Sequence, residues 1–210
     1  MTVKAVYWDM DGTLIDSEPL HEECLAIALR SVGVEPPSDL HDKIIGIAAR
    51  PVYDLLRAEY GFDLPFDQWI GIKYAHYLSK AASLKARSGA LEIFLELKAK
   101  GVVQAVVSNS DRLVVDTNMR ALDIHEPAFK SVSRNDVRLG KPDAEPYLRA
   151  AYLTGIDPTH TIVMEDSRTG ASAGVAAGMK TLLWPQQKME PLSGALYIEN
   201  LEDVRAELGL

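Results

Sequence analysis

Short apolar runs alternating with helical patterns predict an α/β fold. The expected form is a three-layer, Rossmann-like core, a parallel sheet covered by helices on both faces, plus an inserted all-helical domain. Three observations carry this. Five apolar runs of strand length recur along the chain. Helical patterns fill most of the gaps between them. One long gap, residues 16–86, holds helical pattern and turns but no convincing strand.

The first strand is expected at residues 3–8, a run rich in Val and aromatics that ends at Asp9-Met10-Asp11-Gly12-Thr13. Helices follow over 19–32, 51–60 and 67–83, separated by turns at Pro36-Pro37 and over 61–65. A helix over 90–100 carries apolar Leu91, Phe94, Leu95 and Leu97, with Gly101 as its stop. The second strand, within 101–107, ends at Ser108-Asn109-Ser110, and Ser110 or Asp111 can cap a helix over 111–122. A weaker third strand falls at 128–132, and a helix over 146–154 opens on Pro146 and closes at Gly155. The fourth strand, 161–164, ends at Glu165-Asp166-Ser167. A helix of small residues over 167–177, a fifth strand over 180–184 and an edge strand over 195–198 complete the chain. The expected domains are a core of 1–15 and 87–210 and a helical cap of 16–86.

A chain of 210 residues, 47% hydrophobic and 25% charged, can bury a full core without disulfides or metal staples. Its net charge of −8 speaks against a nucleic acid or an anionic membrane as partner. It leaves room for a small anionic metabolite, because a bound cation reverses the local field. Cys24 is the only cysteine, so no intrachain disulfide forms and a reducing compartment fits. No apolar run approaches the roughly 20 residues of a membrane span, and the first residues do not read as a signal peptide. A cytoplasmic location is expected.

Ligands of open parallel sheets bind at the carboxyl ends of the strands. There the sequence sets Asp9 and Asp11, Ser108 and Asn109, Lys141, and Glu165 and Asp166. These residue types suit phosphoryl transfer. A carboxylate can attack phosphorus, and a second carboxylate two residues on can give and take the proton. A lysine and a hard divalent cation on carboxylate oxygens, Mg²⁺ above all, can offset the charge of the phosphate.

In that order, Asp9-Met10-Asp11-Gly12-Thr13-Leu14, Ser108, Lys141-Pro142 and Glu165-Asp166-Ser167 resemble the four motifs of the haloacid dehalogenase-like superfamily. Asp16-Ser17-Glu18-Pro19 with His21, and the run 170–179, resemble its β-phosphoglucomutase-like branch, which has a helical cap after the first strand. The resemblance implies Asp9 as nucleophile and Asp11 as general acid and base. It implies Mg²⁺ held by Asp9, Asp166 and the Asp11 carbonyl with Glu165 in support, and phosphate held by Ser108, Asn109 and Lys141. The chain departs from the family's frequent Lys-Pro-Ala-Pro-Asp at Lys141-Pro142-Asp143-Ala144-Glu145, and it carries Trp8 where Phe is common.

The expected activity is hydrolysis of a small sugar or polyol phosphate. Glu18, His21 and Arg50 are candidate substrate residues of the cap, whereas Lys73 and His76 read as solvated or packing residues. A phosphosugar mutase remains open, although Gly46-Ile47-Ala48-Ala49-Arg50 has one residue more than the Gly-x-x-Arg of mutases. So does a catalytically silent binding protein on the same fold, against which the intact motif set speaks. A dehalogenase lacks the second aspartate, and a phosphonoacetaldehyde hydrolase needs a cap lysine beside His21. Both rank lower.

Overall fold

The computed structural model describes residues 3–38, 40–44 and 46–210. Met1, Thr2, Asp39 and Ile45, which fall inside the expected segments, lie outside the described residues. The chain opens with strand β1 (Ala5–Trp8), followed by helices α1 (Glu18–Arg30), α2 (Leu40–Ile44), α3 (Ala49–Tyr60) and α4 (Phe66–Lys80). Then come α5 (Ala90–Ala99), β2 (Val103–Val107), α6 (Arg112–Ala121), β3 (Lys130–Val132) and α7 (Glu145–Thr154). The chain ends with β4 (Thr161–Glu165), α8 (Arg168–Ala176), β5 (Lys180–Leu183), β6 (Ala195–Tyr197) and α9 (Leu201–Leu208).

The six strands form one parallel sheet in the order β3-β2-β1-β4-β5-β6. Side chains of a strand alternate between its two faces. Val6 and Trp8 pack with Ile93, Phe94, Met119 and Val204 from α5, α6 and α9. Ala5 and Tyr7 pack with Tyr147, Ala150 and Ala173 from α7 and α8. Both faces are thus covered, which is why β1 is apolar at every position rather than at every second one.

Helices α1 to α4 have an apolar cluster of their own, with Leu25, Leu29, Val52, Leu56, Phe62 and Trp69 among its buried members. Two chain segments join them to the sheet side by side. Ile15 bridges Ala86 in antiparallel fashion, Asp16 N–H donates to the Lys85 carbonyl, and Arg87 N–H donates to the Leu14 carbonyl. A smaller cluster of Leu20, Cys24, Tyr77 and Val114 packs α1 and α4 onto α6.

Two elements go beyond the sequence reading. The five residues of α2 are too few for a 3.6-residue period to register. Helix α9 carries a cap signal, since the Asn200 side chain accepts from the Asp203 N–H at 2.9 Å.

Candidate active site

The sheet order reverses direction between β1 and β4, and the crevice opens there. Just past the strand ends the ladder continues: Asp9 N–H donates to the Met164 carbonyl and Ser108 N–H to the Val132 carbonyl, both at 2.9 Å. The polar residues that close the runs therefore meet at one level. Asp9, Asp11, Ser108, Asn109, Lys141 and Asp166 line a cavity of about 100 Å³, roofed by Glu18, His21, Ile47, Lys73 and Tyr74 from the helical segment.

Lys141 lies at the floor, 7% exposed. Its ammonium donates to Asp9 Oδ1 at 2.6 Å, Glu165 Oε1 at 2.5 Å and the Val107 carbonyl at 2.8 Å. Burial works against its charge, but the two carboxylates outweigh burial and hold its pKa above the ordinary lysine range. Glu165 is fully buried beneath the cavity and also accepts from the Tyr147 hydroxyl at 2.5 Å. Gly170 leaves room for it, since a Cβ there would lie 2.0 Å from the Glu165 carboxylate.

Asp9, Glu165 and Asp166 each offer a carboxylate oxygen, all within 4.8 Å of one another. Burial, then repulsion from Glu165, pushes Asp9 up to about 8. Burial, then repulsion from Asp9, pushes Asp166 well above the carboxylate range. One lysine does not balance three buried carboxylates, so the oxygen donor set fits a hard divalent cation. Gly12 (φ 80°) makes the close approach possible, because a Cβ there would fall 2.0 Å from Asp166 Oδ2.

Asp11 turns the other way, toward the helical segment. Its Oδ1 accepts from Ser17 Oγ at 2.7 Å and Asn118 Nδ2 at 2.9 Å, with His21 Nε2 at 3.1 Å. Its Oδ2 accepts from Ser110 Oγ at 2.8 Å and Ser108 Oγ at 3.2 Å. Burial alone would raise its pKa. The His21 charge and the hydrogen bonds from His21, Ser17 and Ser110 outweigh burial and hold it well below the carboxylate range. Asn109 braces the Lys141 loop and the roof: its Oδ1 accepts from Lys141 N–H at 2.8 Å, and its Nδ2 donates to the Gly46 carbonyl at 3.0 Å.

Among the candidate cap residues, Glu18 and His21 line the cavity, and His21 stacks on Tyr77 at 4.7 Å between ring centroids. Arg50 lies elsewhere. It does not line the cavity: its guanidinium pairs with Asp54 at 3.1 Å and lies over the Tyr53 and Phe66 rings on the outside of α3. Lys73, read as a solvated or packing residue, faces the cavity from α4. The signal was in the sequence. Lys73 stands four residues from both Trp69 and Tyr77, which are buried, so all three share one helix face.

Asn118 and Arg87 were also missed. Asn118 is fully buried among Val114, Val115 and Met119 of α6 and relays a hydrogen bond from the Tyr77 hydroxyl, 2.7 Å away, to Asp11. Arg87 lies 3.6 Å from the Trp184 ring and donates to the carbonyls of Gly12 at 3.1 Å, Trp184 at 2.6 Å and Pro185 at 3.2 Å.

Residues 6–184 match the family model described as haloacid dehalogenase-like hydrolase. The chain belongs to this hydrolase family. A phosphorylated carbohydrates phosphatase of Thermotoga maritima is 28% identical over 86% of this chain and 84% of its own. Hexitol phosphatase B of Escherichia coli K12 is 27% identical over 87% and 84%. With these relatives, the haloacid dehalogenase-like chain is a hydrolase of the phosphoric monoester class. Its fold is that of crystalline CbbY from Rhodobacter sphaeroides in complex with phosphate, with a TM-score of 0.88, 21% identity and complete coverage of both chains. Among the described residues, no helix is long and apolar enough to cross a membrane.

Proposed function

We propose that the protein is a Mg²⁺-dependent phosphatase of a small sugar or polyol phosphate, acting in the cytoplasm through an aspartyl-phosphate on Asp9. The observation that carries this is the convergence of Asp9, Asp166 and Lys141 on the floor of a small cavity whose wall presents Asp11. The names of the Thermotoga maritima and Escherichia coli relatives support the substrate class. Residues 16–86 serve as the cap over a core of 1–15 and 87–210, excluding bulk water when the substrate is in place.

Asp9, Asp166 and the Asp11 carbonyl would hold Mg²⁺, with Glu165 completing the acidic set behind them. Bound there, the ion supplies positive charge against the phosphate oxygens. Lys141 adds a second positive charge and holds the Asp9 carboxylate in position. Ser108 Oγ and the Asn109 backbone bind the remaining phosphate oxygens. The other Asp9 oxygen attacks phosphorus, and the bond to the ester oxygen breaks. Asp11, protonated as the negative phosphate enters and raises its pKa, gives its proton to the leaving oxygen. The ionised Asp11 then takes a proton from water, whose oxygen attacks phosphorus, breaks the Asp9–phosphate bond and releases inorganic phosphate.

Water is favoured over a second sugar hydroxyl as acceptor by the placement of Arg50 outside the cavity. Phosphate release from a panel of sugar and polyol phosphates, with and without Mg²⁺, tests the proposal. Turnover is expected with Mg²⁺ and should vanish in Asp9→Asn. Full activity in chelator, or turnover in Asp9→Asn within a few-fold of the parent, refutes it. Rapid isomerisation of a hexose monophosphate with little free phosphate would establish the mutase instead.

A further inference from the structure

A second, larger cavity of about 390 Å³ adjoins the first and shares Glu18, Ile47 and Asp166 with it. Its outer wall is formed by Arg168 and Thr169 at the start of α8 and by residues 186–189 beyond β5. We propose that this cavity binds the far end of the substrate, and that this end carries a second negative charge. The inference rests on the phosphatase reading and names its substrate class: a phosphorylated sugar or polyol with a terminal phosphate or carboxylate.

Three observations support it. First, the catalytic cavity is small, about 100 Å³, whereas whole-ligand pockets commonly measure about 300–1,000 Å³. A sugar phosphate with its phosphoryl group on the floor needs further space, and the neighbouring cavity provides it.

Second, the outer wall carries uncompensated positive charge. The Arg168 guanidinium is held in place by the carbonyls of Glu190 at 2.6 Å and Pro191 at 2.9 Å, which accept its hydrogen bonds but do not cancel its charge. Among the described residues, neither Arg168 nor Lys188 makes an ion pair. Lys43 also lines the cavity, but it is paired with Glu59.

Third, the charges are ordered along the cavity. The carboxylates of Glu18 and Asp166 stand at the shared neck and the two cations lie on the outer wall. A negative group at the far end of the substrate is attracted to the cations of the outer wall. The uncharged middle of the substrate passes the neck, and the amides of Gln186 and Gln187 with the Thr169 hydroxyl supply polar partners for its hydroxyl groups.

The test compares three esters: a hexitol monophosphate, the corresponding hexitol bisphosphate and a phosphorylated sugar acid. Each charge-assisted contact is worth about a tenfold change in affinity. The doubly charged esters are expected to show KM values about tenfold or more below that of the monophosphate. Lys188→Ala and Arg168→Gln should each reduce that preference about tenfold. The bisphosphate arm against the sugar-acid arm distinguishes a phosphate from a carboxylate terminus. Calorimetric binding of the same esters to Asp9→Asn gives the same comparison without turnover. Equal affinities for the three esters, or a preference untouched by both substitutions, overturn the subsite and leave the phosphatase reading intact. Selective binding without hydrolysis of any ester by the parent protein overturns the phosphatase reading instead.

Discussion

Mg²⁺ binding is expected to release protons, because cation and proton compete for the same carboxylates. Burial and the Glu165 charge push Asp9 up to about 8, and burial with the Asp9 charge raises Asp166 too. At neutral pH the metal-free site therefore holds at least the Asp9 proton, which Mg²⁺ must displace. One displaced proton lowers Kd about tenfold per pH unit, about 1.4 kcal/mol, up to a pH of about 8. A second from Asp166 doubles the slope. The sign for stability follows from the same shift. The folded pKa of Asp9 lies above its unfolded value, so its contribution is complete below about pH 4 and is lost as pH rises to about 8. Asp11, depressed by His21 and its donors, acts oppositely: its contribution is present above the ordinary carboxylate pKa and is lost as pH falls through its lower folded value. Thermal stabilisation by Mg²⁺ should thus grow with pH. At saturating Mg²⁺, each tenfold gain in affinity is worth about 2–4 °C in Tm for a chain of this size. Titration calorimetry in two buffers of different ionisation enthalpy counts the protons directly. A Kd that stays flat from about pH 6 to about pH 8, with no proton released, refutes the reasoning.

Three further outcomes are expected. Gly12→Ala combines a left-handed backbone with a Cβ only 2.0 Å from Asp166 Oδ2, so Mg²⁺ affinity measured by calorimetry should fall by roughly 10–100-fold. Lys73→Met removes a cation from the cavity roof. KM should rise about tenfold with a smaller change in kcat, and the melting temperature should hold because a partly buried charge is lost. Tyr147→Phe deprives the fully buried Glu165 of a donor and should cost about 1–3 kcal/mol in urea unfolding.

The floor of the site was legible because a parallel sheet converts sequence order into spatial order. Asp9, Ser108 and Glu165-Asp166 each close an apolar run, and once the strands are in register those ends share one level. Lys141 reaches that level from a loop, and only the motif that contains it marked it out. The roof was not legible in this way. Arg50 and Lys73 are both cations on helices of residues 16–86, and the sequence reading put Arg50, not Lys73, among the candidate substrate residues. Helix phase separates them. Arg50 stands four residues before Asp54 on an exposed face, which supplies an ion pair away from the cavity. Lys73 shares its face with Trp69 and Tyr77, which are buried. Asn118 was hidden for a related reason: a buried amide in an apolar stripe reads as a blemish until its partners, here 41 and 107 residues away, are known.

Those distant partners tie Asp11 to the helical segment. Asp11 is held by Ser108 and Ser110 from the sheet side, but also by Ser17 before α1, by His21 on α1, and by Asn118, to which Tyr77 of α4 donates. Helices α1 and α4 also bring Glu18 and Lys73 to the cavity. Any motion that swings these helices away removes Ser17, His21 and the Tyr77 brace together. It strips from Asp11 the partners that keep its pKa low, and it withdraws Glu18 and Lys73 from the cavity. Returning them restores both. The pKa of Asp11 therefore depends on the same helices that bring Glu18 and Lys73 to the cavity. On the proposed mechanism, a shift of these helices would change both the contacts offered to an ester and the pKa of Asp11.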